Sequence, residues 1–210
     1  MYNKDPKLNF NQGNRYSPHS IILKLINHNK TILDVGCNTG YIGKYFIKNK
    51  NCVCDGIDCN QELLNQAKQA GYRNTFKIDL SKSSFKIERK YDAILFIDVL
   101  EHLPNPYLIL KKIIKENLKD NGKAVICLPN IARLEQRIKH LSGRFDYQKS
   151  GIMHQDHLRF FTKKSAIQML QRTNLQIKKI LPTGLGAQIK FWPNLLSFQF
   201  IFICRKKQQF

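Results

Sequence analysis

A short stretch late in the chain gathers side chains that can bind metals or move protons. GIMHQDHLRFFT at 151–162 contains His154, Asp156 and His157, followed by Arg159 and two phenylalanines. Histidine has an ordinary pKa near neutrality, so it can act as a general base, and it is also the commonest metal ligand. The stretch therefore predicts a metal site, a proton-transfer site or a packed loop in which Asp156 orients His157.

A second reactive group comes earlier, directly after an apolar run that predicts a strand. Asp98, Glu101 and His102 form the pattern D-x-x-E-H after the run 92–97. If a helical turn begins there, position 98 shares a face with position 101 or 102. Carboxylates combined with imidazoles suit a hard divalent cation, and a base weakens the O–H bond of a hydroxyl beside it. The pattern predicts a site where a hydroxyl group could react.

Glycines punctuate the loop after the first predicted strand. In ILDVGCNTGYIG (32–43), Gly36, Asn38 and Gly40 fall on alternate positions. Glycine allows positive φ and a close approach of backbone to ligand, and Asn is the non-glycine residue that best tolerates the left-handed region. The spacing differs from the dinucleotide fingerprint, and Asp34 at the strand end would crowd a pyrophosphate. The loop therefore predicts a ligand site in which Asp34 faces a cationic group.

These groups need a scaffold, and the surrounding sequence alternates between two patterns. Short apolar runs predict strands, and the segments with a 3.6-residue period between them predict helices. The alternation favours a Rossmann-like, doubly wound α/β sheet that binds ligands at the carboxyl ends of its strands. The predicted strands are 31–35, 52–57, 74–78, 92–97 and 123–128, and the predicted helices are 41–49, 61–70 and 107–118.

The C-terminal part predicts a different ending to the sheet. A helix is expected over 131–142 and another after Thr162, whose hydroxyl can cap it, while NGK at 121–123 predicts a turn. The last two apolar runs, LQIKKIL and SFQFIFICR, predict an antiparallel pair of strands with no helix between them. The sheet is therefore expected to have seven strands, mostly parallel with an antiparallel C-terminal strand. We expect one domain over 1–210, with a core at 30–130, an acceptor-side loop and helix at 131–172 and closing strands at 174–205.

Composition limits the partners and the compartment. The chain has 210 residues and a net charge of +20, which favours nucleic acid or an anionic membrane surface as a partner. The segment 190–198, with Trp192, could touch such a membrane. A diffuse basic surface that reflects biased composition is the alternative. Six scattered cysteines without a C-x-x-C pair, and residues 1–20 without an apolar signal segment, predict a cytoplasmic protein with reduced thiols.

The loop after the first strand resembles the first motif of the class I S-adenosylmethionine (SAM)-dependent methyltransferases, D/E-x-G-x-G-x-G, with Asn38 in place of the middle glycine. The resemblance implies SAM as the cofactor. It also implies that Asp34 supports the ammonium group of SAM, that Asp58 accepts the ribose hydroxyls and that Asp79 takes the adenine amino group. The implied cofactor-binding residues are Asp34, Gly36, Asn38, Gly40, Asp58, Cys59, Asp79, Leu80 and Asp98.

The reactive groups resemble two kinds of O-methyltransferase. YDAILFIDVLEHLPNP at 91–106 is similar to the broad group that includes the ubiquinone-pathway enzymes, and 128–147 with HLRFFT is similar to methyltransferases of sugar and polysaccharide pathways. These resemblances imply O-methylation of a small molecule, sugar or glycan. His157 is the first candidate for the general base and His102 is the second.

The pattern D-x-x-E-H followed by D-H also resembles the small-RNA 3′-terminal 2′-O-methyltransferases, in which such residues hold a divalent metal over the ribose hydroxyls. That resemblance implies an RNA acceptor, which the charge also favours, and a metal held by Asp98, Glu101, His102 and His157. Here Asp98 stands where that family has glutamate. A SAM-binding regulatory protein without turnover is the third alternative.

Overall fold

One seven-stranded sheet forms the centre of the computed structural model, which describes residues 14–82, 85–189 and 191–207. The strand order is β3-β2-β1-β4-β5-β7-β6. The strands are β1 (Thr31–Val35), β2 (Val53–Asp58), β3 (Asn74–Lys77), β4 (Tyr91–Ile97), β5 (Leu118–Pro129), β6 (Leu175–Pro182) and β7 (Gln199–Lys206). Strands β1 to β5 are parallel, and β7 is antiparallel to both β5 and β6. The predicted sheet is confirmed.

Helices connect the strands and pack against the sheet. They are α1 (Pro18–Leu25), α2 (Tyr41–Lys50), α3 (Gln61–Gln69), α4 (Pro106–Asn117), α5 (Leu134–Leu141), α6 (Lys163–Gln171), α7 (Leu185–Ile189) and α8 (Pro193–Leu196). A single 3-10 turn at Leu100–His102 follows β4. Within the described residues, no helix is both long and apolar enough to cross a membrane.

The central strands supply two separate cores. Along β4, Ile94 and Phe96 join a cluster with residues of α4 and α6, whereas Ala93, Leu95 and Ile97 join a cluster with residues of α1, α2 and α3. Alternate side chains of a strand point to opposite faces, so a strand covered on both sides is apolar at nearly every position. This explains why the run DAILFI has no polar alternation.

The register brings the candidate residues to one edge of the sheet. Asp34 in β1 pairs with Gly56 of β2 and Leu95 of β4, so the loops after these strands leave the sheet side by side. At the same edge, Pro129 at the end of β5 pairs with Gln199 at the start of β7. The cofactor loops and the segments that follow β5 and precede β7 therefore share the carboxyl edge of the parallel strands.

Three local expectations differ from the structure. The helix expected over 131–142 begins only at Leu134. The NGK segment is not a turn but part of β5, where the register shifts because β5 advances from Leu118 to Lys123 while β4 advances only from Tyr91 to Ala93. The expectation of no helix between the last two strands is wrong, since α7 and α8 lie there. Helices of five and four residues are too short to show a helical period in sequence.

Candidate active site

The loop between β1 and α2 has the backbone conformation that its composition predicts. Gly36, Asn38 and Gly40 have positive φ angles of 71°, 51° and 77°. The amides of Gly36 and Cys37 both donate to the carbonyl of Ile57, at 2.8 and 2.9 Å. The loop is thereby fixed against the end of β2, with its left-handed residues on alternate positions.

Asp58 at the end of β2 holds the same loop. Its Oδ2 accepts from the amide of Asn38 at 3.0 Å, and its Oδ1 accepts from the amide of Asn60 at 3.0 Å. Each carboxylate oxygen has two lone pairs, so both oxygens can accept a further hydrogen bond. Asp58 can therefore brace the loop and still receive two ligand hydroxyls.

Asp34 is buried and has a partner that the sequence did not reveal. The hydroxyl of Tyr72 donates to Asp34 Oδ2 at 2.6 Å and accepts from the amide of Gly43 at 3.1 Å. Burial raises the pKa of Asp34 to about 6, against the opposing effect of the Tyr72 hydrogen bond, and the nearby Asp58 adds to the rise. A cation beside Asp34 would lower this pKa again and keep the carboxyl group ionised over a wider pH range.

Tyr72 also explains several glycines around the loop. A Cβ atom at Gly40 would lie 2.7 Å from Tyr72 Cε2, and one at Gly56 would lie 2.9 Å from Tyr72 Cδ1. A Cβ at Gly43 would overlap the Tyr72 hydroxyl. Because three elements pack on one ring, Tyr72 sets the distance between the loop, α2 and β2. Nothing in the sequence around Tyr72 signals this role.

The remaining residues of the expected cofactor pocket differ in exposure. Asp79 is exposed and accepts from the amide and hydroxyl of Ser81, at 3.0 and 2.6 Å, which lowers the pKa of its carboxyl group. Leu80 is buried beside it. Cys59 is exposed, and partial burial of its thiol together with the charge of Asp58 raises its pKa.

Asp98 directly follows the end of β4. It has a left-handed φ of 51°, and its Oδ1 accepts from Nε2 of the buried Gln199. Part of the residue is exposed, but loss of solvation by the surrounding protein raises the pKa of its carboxyl group. Burial raises the pKa of Tyr41, the first residue of α2, and the negative charges of Asp98 and Asp34 add to the rise. Gln199 and Tyr41 are site residues that the sequence did not indicate.

Glu101, His102 and His157 converge in the region that follows β4. One ligand atom from each lies within 4.8 Å of the others. The rings of His102 and His157 meet edge to face, with 4.7 Å between centroids. His154 is a neighbour, 5.5 Å from His157, but it is not part of the converging group, and neither is Asp98.

Backbone hydrogen bonds tie the two halves of this cluster together. The amides of Leu158 and Arg159 both donate to the carbonyl of Glu101 at 2.9 Å. The guanidinium of Arg159 binds the carbonyl of Pro104 at 2.6 and 3.1 Å, instead of pairing with Asp156. The His-rich stretch is therefore packed onto the turn after β4.

Each histidine of the cluster is fixed through the same ring atom. His102 Nδ1 lies 3.0 Å from the carbonyl of Asp156, and His157 Nδ1 lies 2.9 Å from the carbonyl of Ile152. A carbonyl accepts only, so each Nδ1 carries the hydrogen and the neutral ring has its lone pair on Nε2. Metal-binding and proton-accepting histidines are commonly oriented in this way.

Burial makes all three groups prefer their uncharged forms. Glu101 is 1% exposed, and neither carboxyl oxygen has a hydrogen-bond partner in another described residue. Burial and the charge of Asp98 raise the pKa of Glu101 well above its ordinary value. Burial, with His102 and His154, lowers the pKa of His157 to about 4. A buried carboxyl group without partners beside two lone pairs is a donor set that fits a divalent cation.

Comparisons with known proteins point to one family. A family model described as a methyltransferase domain matches residues 11–180. An (S)-tetrahydroprotoberberine N-methyltransferase from Eschscholzia californica is 31% identical over 93 residues, which cover 42% of this chain and 27% of that protein. A ubiquinone biosynthesis O-methyltransferase from Pelagibacter ubique is 26% identical over 155 residues, which cover 72% of this chain and 64% of that protein. The chain thus spans less than two thirds of either relative.

Solved structures share the fold. A Burkholderia thailandensis 1,6-didemethyltoxoflavin-N1-methyltransferase with bound S-adenosylhomocysteine has a TM-score of 0.63 and 18% identity, covering 91% of this chain and 77% of that one. A small RNA methyltransferase has a TM-score of 0.67 and 16% identity, covering 91% of this chain and 25% of that one.

Proposed function

The chain belongs to the family of SAM-dependent methyltransferase domains, and on that premise we propose that it methylates a hydroxyl oxygen of a small molecule, sugar or glycan. The observation that carries the proposal is the convergence of Glu101, His102 and His157 at the carboxyl edge of β4. Both histidines have a fixed tautomer with a lone pair on Nε2. A hydroxyl acceptor needs such groups because it must lose a proton.

The residues of the first loop fit SAM. The left-handed backbone at Gly36, Asn38 and Gly40 allows close approach of a ligand, and Asp58 has lone pairs for the two ribose hydroxyls. Asp34 is a buried carboxyl group whose ionised form a neighbouring ammonium group would stabilise. When bound, SAM supplies a methyl group on a positively charged sulfur.

The transfer balances as an in-line displacement. The acceptor oxygen forms a bond to the methyl carbon while the carbon–sulfur bond breaks, and the electron pair of that bond stays on sulfur. The acceptor hydroxyl proton leaves to a base, so an alcohol becomes a methyl ether. The oxygen becomes strongly acidic as it gains the methyl group, and a weak base therefore suffices. His157 remains neutral near pH 7, because its pKa is about 4, and can take that proton.

Oxygen is favoured over nitrogen as the acceptor atom by the same cluster. A neutral amine already carries a nucleophilic lone pair and can react before it loses a proton. Two oriented imidazoles beside a buried carboxyl group can take up a proton during the reaction. A hydroxyl acceptor needs such groups, whereas a neutral amine does not. The relatives include both an N- and an O-methyltransferase, and they share only parts of their chains with this one.

A metal-dependent RNA 2′-O-methyltransferase is the second candidate. The buried carboxyl oxygens of Glu101 have no hydrogen-bond partner among the described residues, and this favours it, because a divalent cation held by Glu101, His102 and His157 would satisfy them. Such a cation would acidify a bound hydroxyl. The net charge of +20 also favours an anionic acceptor.

One labelling experiment tests both candidates. Purified protein and methyl-labelled SAM are added to an extract of cells that lack the gene, with and without a chelator, and the extract is fractionated. Label in a small-molecule, lipid or glycan fraction that mild base does not release is expected for a methyl ether. Label in RNA that disappears with the chelator would replace the first proposal with the second. Label on amines would contradict both.

A further inference from the structure

Large exposed apolar side chains are concentrated in one part of the chain. Twelve such side chains are exposed among the described residues, and ten of them fall between positions 134 and 192. Isolated exposed apolar residues are common on soluble proteins, but a concentration of them marks an interaction surface. The ten are Leu134, Ile138, Leu141, Phe145, Tyr147, Leu158, Leu185, Ile189, Phe191 and Trp192.

Helix α5 turns its apolar face outward. Leu134, Ile138 and Leu141 are spaced i, i+4 and i+7, so they lie on one face, and they are 44%, 58% and 89% exposed. A surface helix of a globular protein normally buries this face. Only Gln136 of α5 is buried. The helix is thus amphipathic with its apolar side facing away from the core.

The segment around Trp192 lies near the start of α5. The side chain of Asn130 donates to the carbonyls of Asn194 and Ser197 at 2.9 and 3.1 Å. The guanidinium of Arg133 lies 5.6 Å from the ring centroid of Phe198. Because both segments leave the sheet at the Pro129–Gln199 pair, the two apolar groups flank the same edge.

Aromatic contacts connect this surface to the histidine cluster. The ring of Phe160 lies 5.6 Å from Phe145 and 6.4 Å from Tyr147, both of which are exposed. The ring centroid of Phe160 also lies 6.3 Å from that of His157. The exposed apolar surface therefore continues to the place where we expect the acceptor hydroxyl to react.

We propose that α5, the loop at 142–149 and the Phe191–Trp192 pair form a docking face for an anionic lipid bilayer. Residues 133–164 contain eight lysines and arginines against three acidic residues, so the part of the chain that carries α5 and its loop has a net positive charge. A helix that lies in the bilayer interface has this composition, with apolar side chains in the acyl region and basic ones at the headgroups. Exposed tryptophan and tyrosine also suit that depth.

The composition of the face argues against two other occupants. RNA that binds without base pairing would stack on the aromatic rings of the face alone, and the three exposed aliphatic side chains of α5 would stay in water, whereas a bilayer would bury both kinds. A second copy of this chain would bring two basic faces together, and like charges would repel.

The inference rests on the proposed function and makes it more specific. An acceptor hydroxyl carried by a lipid, or dissolved in the bilayer surface, would reach His157 along the ring of Phe160. The face itself can be tested without any methyl transfer.

Trp192 makes the test direct, because it is the only tryptophan of the chain and is 63% exposed. The full chain is mixed with vesicles of phosphatidylcholine alone or of equal parts phosphatidylcholine and phosphatidylglycerol. With the anionic vesicles we expect a blue shift of Trp192 emission, less quenching by acrylamide, and co-sedimentation that salt weakens. Neutral vesicles should produce a much smaller change.

A double variant locates the contact. Ile138→Glu with Leu141→Glu should weaken binding to anionic vesicles by about tenfold or more, because it removes both the apolar and the electrostatic contribution. Val53→Glu with Leu108→Glu is the matched control, since it places the same two charges on the exposed apolar residues that lie outside positions 134–192. SAM affinity and melting temperature should remain unchanged in both proteins.

Several outcomes would overturn the proposal. These are an unshifted Trp192 without co-sedimentation, full vesicle binding by the double variant, and RNA binding without a vesicle response. A wild-type dimer that the double variant converts to a monomer, again without a vesicle response, would assign the face to a second copy. His157→Ala should bind vesicles as the wild type does, because vesicle binding does not require methyl transfer. If the wild type binds vesicles but methylates no hydroxyl, the proposed function is wrong and the proposed lipid face is still supported.

Discussion

The two sides of the candidate active site are built in different ways. On the cofactor side, the groups that shape the loop between β1 and α2 come from β1, β2 and the segment after α3, which are close in sequence. On the acceptor side, Glu101 meets His157 through hydrogen bonds that join residues more than fifty positions apart. Hydrogen bonds among residues 34–72 hold the first side, whereas the second depends on the packing of one long segment onto the turn after β4. Substitutions should therefore separate binding of SAM from transfer of its methyl group.

The largest effect is expected at the tightest point of the cofactor side. Gly40→Ala should cost about 3 kcal/mol of folding stability, since the new Cβ would lie 2.9 Å from the backbone of Ala67 and the residue has positive φ. SAM binding should be lost with it. Thermal unfolding and calorimetry measure the two effects.

Gly143→Ala is the control, because Gly143 has a φ of +75° with no atom within 4 Å of the new Cβ. It carries only the conformational cost, about 1 kcal/mol. Equal losses of folding stability in the Gly40 and Gly143 variants would show that Tyr72 and α3 move easily to accommodate the new Cβ.

Substitutions on the acceptor side should lower turnover without changing SAM binding. His157→Ala should lower kcat by about 10²- to 10³-fold, which is the size of a general-base contribution, while the SAM dissociation constant stays unchanged. His154→Ala, which changes a neighbouring ring outside the converging group, should have a small effect. Full turnover in the His157 variant would remove it from the chemistry.

Charge removal at the base of the loop should act on binding. Asp34→Asn should weaken SAM binding by about tenfold to hundredfold, as expected for loss of one charged hydrogen bond. Asp92→Asn removes a carboxylate near the opposite end of the sheet, where it binds Thr31, and should leave SAM affinity unchanged. Equal affinities of the Asp34 variant and the wild type would show that the ammonium group binds elsewhere.

The smallest effect should appear only in a pH profile. An ammonium group is attracted by ionised Asp34, so SAM binding should weaken as the pH falls through about 6. The hydrogen bond from Tyr72 favours the ionised form, and Tyr72→Phe should therefore move that transition to higher pH. At pH 6.5 we expect Tyr72→Phe to bind SAM a few fold more weakly than the wild type, and at pH 8 we expect almost no difference in affinity.

Tyr91→Phe is the matched control for this profile. The Tyr91 hydroxyl donates to buried Asp55 at 2.9 Å, so the variant loses an equivalent hydrogen bond away from the loop. A profile that shifts equally in both variants would mean that general destabilisation, and not the ionisation of Asp34, controls binding.

The contrast between the two sides also describes what could be predicted. The sequence predicted the first and last residues of β1 correctly. The left-handed conformation of Asn38 followed from its place between two glycines. The short helices α7 and α8 were missed, and so was the contribution of Gln199 to the site. Gln199 meets Asp98 only because β7 is inserted next to β5.

The sequence by itself determined the fold, the conformation of the first loop and the residue types available for chemistry. These depend on periodicity and on the local φ preferences of glycine and asparagine, which act over a few residues. Only the tertiary structure decided that Tyr72 supports Asp34, that Glu101 joins two histidines without Asp98, and that α5 turns its apolar face outward. Each of these depends on contacts between different elements, and the packing of the sheet decides which of their residues meet.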